Sequence, residues 1–448
     1  MLEHPLAARQ RVRAVIACMV GSSVEWYDFF LYGSAAALVF PKFYFSPDDP
    51  LTGTLLAFST YFVGFAARPL GAMIFGPLGD RLGRKATLIA TLVTMGIATL
   101  AIGLVPGYAV IGIWGGVIVT LLRVVQGIGV GGEWAGSVLL AMEWGRPTRR
   151  GLMASFAHVG LPVGIIGANV ALLVTSRVFG AEAFQEWAWR MPFLFSVVLI
   201  LVGVWVRLGV LETPIFVRLL EERRISRHPL REVMRRSRRD IVHVVLIKVV
   251  EMASYYVFTT FLLAYGTKTL KLSSEFMLLC LIAAAALAPF LEVLCGHLSD
   301  HIGRRRMYLI GAVSVGLFAF PYFWLLDTRV PALVMAAAIL SLVAHVATHG
   351  PQPSLIAETF TGRFRYTGAS LGYHLASIVS GGPAPLIATW LLARFHSSTP
   401  IALMIVFYAT VSTIALLFLP DRRGLDHRVE YDEPVRAGLP VPRVQVVR

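Results

Sequence analysis

Charged side chains are scarce in this sequence: only 15% of its 448 residues are Asp, Glu, Lys or Arg, whereas a soluble domain has about 25%. Cysteine is scarcer still, and Cys18, Cys280 and Cys295 show neither metal-ligand spacing nor a disulfide pair in a loop. No GxxxxGK[ST] phosphate loop occurs, and the histidines are dispersed. We therefore expect no enzyme, no metal, no cofactor and no ATP-driven pump.

Long apolar runs are abundant instead, since 56% of the residues are hydrophobic. A membrane-spanning helix needs about 20 mostly apolar residues. Twelve stretches meet this requirement, at roughly 14–39, 53–77, 86–106, 111–142, 152–176, 190–211, 241–266, 275–297, 306–326, 331–357, 367–394 and 400–419. The sequence thus predicts an all-α, multi-pass protein with twelve transmembrane helices.

The basic residues are unevenly distributed between the loops. Alternate loops are rich in arginine, with nine between Glu212 and Asp240, whereas the other loops carry single charges such as Lys42 and Lys268. This bias follows the positive-inside rule and predicts that both termini are cytoplasmic. The net charge of +14 therefore indicates topology in a cell (inner) membrane, with the lipid bilayer rather than nucleic acid as the partner.

A ten-residue motif occurs twice with an offset of 220 residues: "GPLGDRLGRK" at 76–85 and "GHLSDHIGRR" at 296–305. Asp80 and Arg84 of the first copy correspond to Asp300 and Arg304 of the second. Each copy follows the second helix of a six-helix half. We predict an N-terminal half (1–211), a basic cytoplasmic linker (212–240), a C-terminal half (241–419) and a cytoplasmic tail (420–448), the plan of transporters built from parallel repeats.

Further stretches give a family resemblance that covers the chain from about Arg13 to Leu419. They are "VEWYDFFLYG", "RPLGAMIFGPLGDRLGRK", "LLRVVQGIGVGGEWAG", "WAWRMPFLFS", "ETPIF" and "AETFTGRFRYTGASLGY". Together they resemble the metabolite:proton symporters of the major facilitator superfamily, which include permeases for α-ketoglutarate, shikimate, citrate and proline/betaine. "EMASYYVFTTF" and "GASLGYHLASIVSGG" look nearest to the shikimate-permease branch. The resemblance implies the major facilitator fold and transport by alternating access.

In that fold Asp80 would face the start of helix 11, where a helix N-terminus attracts a carboxylate. Asp80 with Arg84, and Asp300 with Arg304, would then hold the two halves together on the cytoplasmic side. The alternative is that these charges only anchor the topology. The second motif has Ser-Asp-His where the first has Gly-Asp-Arg, so we expect Asp300 to contribute less to the gate than Asp80 does.

Ionisable residues inside the predicted helices mark the candidate site, because a charge in a spanning helix normally faces a cavity or a partner. Arginine offers a fork of donors that suits a carboxylate, and a carboxyl group in a low-dielectric site can carry a proton. We predict substrate contacts from Arg68, Arg123, Tyr32, Gln126, Lys248 and Tyr373, and proton coupling by Asp28, Glu25 and Glu133. The alternative is structural ion pairing, of Arg68 with Asp28 or of Arg123 with Glu133. His158, His345 and His349 are weaker candidates.

These residues favour a secondary active transporter that imports a small organic acid or related metabolite together with protons. A proton-coupled exporter or a uniporter of the same fold is the alternative. A multidrug antiporter would more typically have an acid-dominated cavity, and a sensor would carry a signalling domain. We expect a monomer driven by the proton gradient alone.

Overall fold

The computed structural model describes residues 5–45, 50–145, 149–221, 228–361 and 364–419. The predicted tail at 420–448 and part of the linker, at 222–227, lie outside these residues. Within the described ranges the chain is helical, without a β-strand.

Twelve helices in the described ranges are long and apolar enough to cross a membrane, which confirms the prediction. They are helix 1 (Arg9–Leu38), helix 2 (Leu51–Arg81), helix 3 (Arg84–Leu104), helix 4 (Trp114–Trp144), helix 5 (Arg150–Phe179), helix 6 (Ala188–Leu208), helix 7 (Arg238–Thr269), helix 8 (Ser274–Ile302), helix 9 (Arg304–Asp327), helix 10 (Pro331–Ala357), helix 11 (Arg365–Phe395) and helix 12 (Thr399–Phe418). Several helices continue past the apolar run into polar residues: helix 2, for example, includes Asp80 and Arg81.

Two short amphipathic helices, Pro214–Glu221 and Pro229–Arg236, lie between helices 6 and 7. They occupy part of the basic segment that the sequence predicts as a linker between two six-helix halves. On either side of this segment the two copies of the repeated motif have the same backbone geometry. Gly83 and Gly303, which separate helix 2 from helix 3 and helix 8 from helix 9, both have φ of 105°. Side chains with a Cβ rarely adopt this conformation, so the repeat requires glycine at both turns.

Helices 2 and 4 pack backbone to backbone in the N-terminal half. A Cβ atom on Gly127 would lie 2.2 Å from the carbonyl oxygen of Gly64, and one on Gly131 would lie 2.1 Å from that of Arg68. Only glycine allows such an approach, which is typical of helix packing in membranes. Because of this close contact, the two helices that carry Arg68 and Arg123 are direct neighbours.

Helices 7 and 11 of the C-terminal half contain π-helical turns, at Val257–Phe261 and Tyr265–Thr269 in helix 7 and at Ser377–Gly381 in helix 11. Such turns are rare and frequently occur at functional sites. The aromatic side chains of helix 7 just before its first π turn pack against helices 1 and 2: the ring of Tyr256 lies 4.9 Å from that of Phe65. Helix 7 thereby closes over the centre of the N-terminal half.

Candidate functional site

The end of the molecule that carries both repeated motifs, here the motif end, is closed by contacts between the halves. Asp80 Oδ2 accepts hydrogen bonds from Thr367 N at 3.0 Å and Thr367 Oγ1 at 2.7 Å, at the start of helix 11. Arg84 lies 3.8 Å from Asp80 and 3.6 Å from Glu143. The structure thus places Asp80 opposite helix 11, as the family resemblance implies.

The second motif forms the same kind of cluster with helix 5. Asp300 accepts hydrogen bonds from Gly151 N and Leu152 N, both at 3.0 Å. Arg304 lies 2.7 Å from Asp300 and 3.2 Å from Glu358. The expected weakness of the second gate is therefore not visible in its contacts, and the unequal effect of the two aspartates stays a prediction.

Arg123, on helix 4, is 1% exposed and enclosed by aromatic rings. Its guanidinium carbon lies 4.2 Å from the ring centroid of Tyr32 and 4.3 Å from that of Phe29. Nη1 donates a hydrogen bond to Gln126, the next candidate on helix 4. Nε and Nη2 have no hydrogen-bond partner among the described residues. The structure therefore brings three predicted substrate contacts, Arg123, Tyr32 and Gln126, together.

Arg68, on helix 2, is fully buried beside the same ring. Its guanidinium carbon lies 4.2 Å from the ring centroids of both Phe29 and Phe65. In the described part of the chain none of its three guanidinium nitrogens has a hydrogen-bond acceptor. Beyond the ring faces, its electrostatic neighbours are Tyr256 and Glu25. A buried guanidinium group without a close ion pair is an unusual and costly arrangement, because a buried charge is normally paired.

Asp28 is linked to Arg123 rather than to Arg68. Thr99 Oγ1 donates to Asp28 Oδ2 at 3.0 Å, and Gln126 Nε2 donates to Thr99 Oγ1 at 2.7 Å. Because Gln126 also accepts from Arg123, the four side chains form one hydrogen-bonded chain. The alternative ion pair between Arg68 and Asp28 is not formed, since the aspartate is turned toward helix 3.

Glu133 does not lie beside Arg123, which corrects that interpretation of the helix 4 pattern. The two residues share a face but are ten positions apart, or about 15 Å along the axis. Glu133 pairs instead with Arg207 of helix 6 and accepts from Thr91 Oγ1 at 2.7 Å and Ser137 Oγ at 3.1 Å. These contacts satisfy both carboxylate oxygens, as in a structural ion pair.

Glu25, on helix 1, is 2% exposed and forms none of the side-chain hydrogen bonds or close ion pairs seen among the described residues. It is thus separate from the chain that joins Asp28 to Arg123. Its predicted role in proton coupling stays a prediction.

Lys248, on helix 7, is already paired. Its Nζ lies 2.5 Å from Glu251 Oε2, donates to Gln352 Oε1 at 2.8 Å, and lies 3.6 Å from the ring centroid of Tyr373. Tyr373 in turn stacks on Trp134 of helix 4, with ring centroids 3.9 Å apart. Lys248 and Tyr373 therefore take part in a contact between the halves, and both also lie within electrostatic range of Arg68.

A cavity of about 650 Å³ opens at the opposite end of the molecule, here the pocket end. Four basic side chains line it, Lys42, Lys268, Lys271 and His396, and its lining has no carboxylate among the described residues. Lys268 Nζ lies 2.5 Å from Thr54 Oγ1 at the start of helix 2. Because Thr54 and Asp80 are 26 positions apart on one helix, the cavity and the closed motif end are about 39 Å apart. The cavity presents a positive surface to solutes.

Several polar partners were not identified from the sequence: Thr99, Glu143, Arg207, Glu292, Gln352 and Glu358. The two gate acids carry a usable signal, since Glu143 and Glu358 precede Gly151 and Tyr366 by eight residues each, at equivalent positions of the two halves. Arg207 lies near the end of helix 6, where an arginine ordinarily marks the membrane surface. Within the described residues no group of His, Cys, Asp and Glu is arranged to hold a metal ion.

Twelve helices long and apolar enough to cross a membrane and a repeated motif between helices define a transporter of the major facilitator type. The sequence model of the Major Facilitator Superfamily matches residues 18–383, and the chain belongs to this family. Like its relatives, it is a transporter and not an enzyme.

Two curated relatives come from Escherichia coli K12. The chain is 36% identical to the inner membrane metabolite transport protein YhjE, over 94% of this chain and 96% of that protein. It is 36% identical to the shikimate transporter, over 94% and 97%. A proline/betaine transporter of Salmonella typhimurium is 30% identical, over 96% and 85%.

Among solved structures, the proton:xylose symporter XylE superposes with a TM-score of 0.72. The match covers 94% of this chain and 98% of that one. At 17% identity this likeness concerns the fold alone. It confirms the predicted arrangement of twelve helices in the major facilitator fold.

Proposed function

We propose that the protein is an inner-membrane symporter that imports a small organic acid together with a proton. The observation that carries this proposal is the set of unpaired N–H donors on Arg68 and Arg123. Both guanidinium groups lie on the ring of Phe29, at 4.2 and 4.3 Å from its centroid. A small carboxylate that displaces this ring would meet donors from both arginines, and charge-assisted bonds to a fork of donors are the strongest available to it.

The basic cavity at the pocket end supports an anionic substrate. Its lysines would raise the local concentration of an anion, since clefts lined by one sign of charge concentrate ligands of the opposite sign. The positive-inside bias assigns the motif end to the cytoplasm. The closed gate and the open basic cavity then correspond to a state that faces the outside, which suits an importer.

Asp28 is the proposed proton carrier. Arg123 and Asp28 are joined through Gln126 and Thr99, so an anion that takes Gln126's place on Arg123 would break this chain. The negative charge of the anion on Arg123 would disfavour a second negative charge on Asp28, and protonation would follow. Substrate arrival and proton uptake would thereby occur together.

Uptake into proteoliposomes tests the proposal. We expect an inside-alkaline pH gradient to drive accumulation of an organic acid above its external concentration, with shikimate, α-ketoglutarate and citrate as anionic probes and betaine as the zwitterionic comparison. If the gradient leaves uptake of every acid unchanged while exchange proceeds, the protein is a uniporter. If only an outward proton-driven flux is seen, it is an exporter.

A further inference from the structure

A second group of buried ionisable side chains lies in the C-terminal half, on helices other than those that carry Arg68 and Arg123. Glu292 of helix 8 is 1% exposed, and His349 of helix 10 is fully buried. His349 Nδ1 lies 2.7 Å from Glu292 Oε1, a distance at which the two atoms share a proton. Glu292 Oε2 and His349 Nε2 have no hydrogen-bond partner among the described residues.

The charges around this pair do not balance unless it holds an additional proton. Lys248 and Glu251 neutralise each other at 2.5 Å, and Gln352 Nε2 donates to Glu251 at 3.0 Å. An ionised Glu292 beside a neutral His349 would leave one excess negative charge inside the protein. Burying an unpaired charge is strongly unfavourable. One additional proton on the pair makes the whole cluster neutral.

His158 contacts the same cluster from the N-terminal half, and its hydrogen bonds fix it as neutral. Trp134 Nε1, which can only donate, lies 2.9 Å from His158 Nε2, so this nitrogen accepts. The proton of His158 is then on Nδ1, which donates to the carbonyl oxygen of His349 at 2.9 Å. The two imidazole rings are stacked, with centroids 3.8 Å apart. His158 therefore contacts His349 directly but does not bind the additional proton.

The cluster lies directly beneath the motif-end gate. Glu292 precedes Asp300 by eight residues, or about 12 Å along helix 8. Between them helices 5 and 8 touch closely: a Cβ atom on Gly296 would lie 2.5 Å from Ser155 Cβ. Separation of helix 5 from helix 8 at the gate would admit water to Glu292 and break the stack of His158 on His349.

We propose that Glu292 and His349 form a second proton-binding site, whose occupancy keeps helix 5 packed against helices 8 and 10. The bound proton stabilises the dry, closed form, because only there must the cluster be neutral. Loss of the proton favours opening, because water can solvate the resulting carboxylate. The site is distinct from Asp28 and does not depend on the identity of the substrate.

The ionisable groups that face the pair directly are His158 from helix 5, Lys248, Glu251 and Tyr255 from helix 7, Cys295 from helix 8 itself and His345 from helix 10. Tyr308 from helix 9 and Tyr373 from helix 11 face Glu251, and His374 from helix 11 faces Lys248 and Arg68. Glu251 is paired with Lys248, and its Oε1 lies 3.8 Å from His345 Nε2 and 3.9 Å from His349 Nε2. Glu292 is thus the acid of this group without a cationic partner other than His349.

The substitution Glu292→Gln tests the proposal, since it keeps the shape of the side chain and a donor for His349 but cannot titrate. The matched control is Asp28→Asn, which removes the other proposed proton carrier. Opening is followed by maleimide labelling of Ser155→Cys in a background where Cys18, Cys280 and Cys295 are replaced by serine. Each rate is divided by the rate for the Glu292→Gln protein at the same pH, which removes the intrinsic pH dependence of the thiol.

We expect the normalised labelling rate to rise with pH by severalfold per unit, with tenfold per unit as the limit for one proton. Asp28→Asn should keep this dependence. Infrared difference spectra between acidic and alkaline samples should show the carbonyl band of buried protonated carboxyl groups, with one component that is lost in Glu292→Gln and retained in Asp28→Asn. A flat normalised rate, a band that loses no component in Glu292→Gln, or a dependence that Asp28→Asn abolishes would each overturn the proposal.

Discussion

Replacement of Asp80 by asparagine should open the motif end. Asp80 Oδ2 accepts two hydrogen bonds from Thr367, and Arg84 lies 3.8 Å from the other oxygen. Asparagine can still accept at one oxygen, but a hydrogen bond to a charged group contributes about 1.5–3 kcal/mol and a neutral one about 0.5–1.5 kcal/mol. Two bonds that change from charged to neutral lose about 2 kcal/mol together, which shifts the closed–open equilibrium about thirtyfold.

Thiol labelling of Ser370→Cys measures this shift. Ser370 is fully buried on helix 11, one turn beyond Thr367, so a cysteine there reacts only when the gate opens. In a background without native cysteines, Asp80→Asn should accelerate labelling about thirtyfold, the equilibrium shift derived above. Glu275→Gln is the control, because it removes an exposed acid that pairs with Arg177 at the pocket end. An unchanged or slower rate in Asp80→Asn would show that this contact does not hold the halves together.

The corresponding change at Asp300 distinguishes two arguments. The sequence predicts a smaller effect, because the second motif has His301 where the first has arginine. The contacts favour equal effects, since Asp300 accepts two backbone hydrogen bonds and lies 2.7 Å from Arg304. Labelling of Ser155→Cys in the Asp300→Asn protein reports on this side. An acceleration about as large as that for Asp80→Asn would reject the asymmetry predicted from the sequence.

Three further changes test the proposed transport cycle. Arg68→Lys and Arg123→Lys keep the charge but lose the fork, and each should raise KM for uptake about tenfold or more, the effect of losing about 1.5 kcal/mol of charged hydrogen bonding; wild-type KM values in both would assign the arginines to structure. Asp28→Asn should abolish proton-driven accumulation but leave substrate exchange intact, and accumulation that persists would place the proton carrier elsewhere. The double substitution Lys42→Gln and Lys268→Gln should raise KM at low salt only, because salt screens the attraction between the basic cavity and an anion over about 8 Å at physiological ionic strength. A rise in KM that does not depend on salt would contradict electrostatic attraction as its cause.

The helices and the turns of the repeated motif could be predicted from the sequence because their signals are local. An apolar run of sufficient length predicts a spanning helix without knowledge of its neighbours. The motif combines a repeated spacing with glycines at positions where the backbone requires them, and Gly83 and Gly303 indeed have φ of 105°. The position of Asp80 opposite helix 11 came from the family resemblance and agrees with its contacts to Thr367, whereas its role as a gate stays a prediction.

The partners of the buried charges could not be predicted, because they depend on how helices far apart in sequence rotate against each other. Glu133 shares a helical face with Arg123, yet its partner is Arg207, 74 positions away. Asp28 lies on the face expected for it, yet Thr99 of helix 3 rather than Arg68 binds it. Helical periodicity gives the direction of a side chain but not the identity of what it meets.

Helix 4 is linked to both proposed proton sites. Arg123 lies in its first third and connects through Gln126 and Thr99 to Asp28, while Trp134, eleven residues further, donates a hydrogen bond to His158 and stacks on a ring of helix 11. Over eleven residues a helix extends about 16 Å and moves as a rigid body unless it bends. A tilt of helix 4 when an anion binds Arg123 would therefore displace His158, and with it the stack on His349 that covers Glu292. The substrate site and the gate need no contact of their own to be coupled, because one helix carries a residue of each.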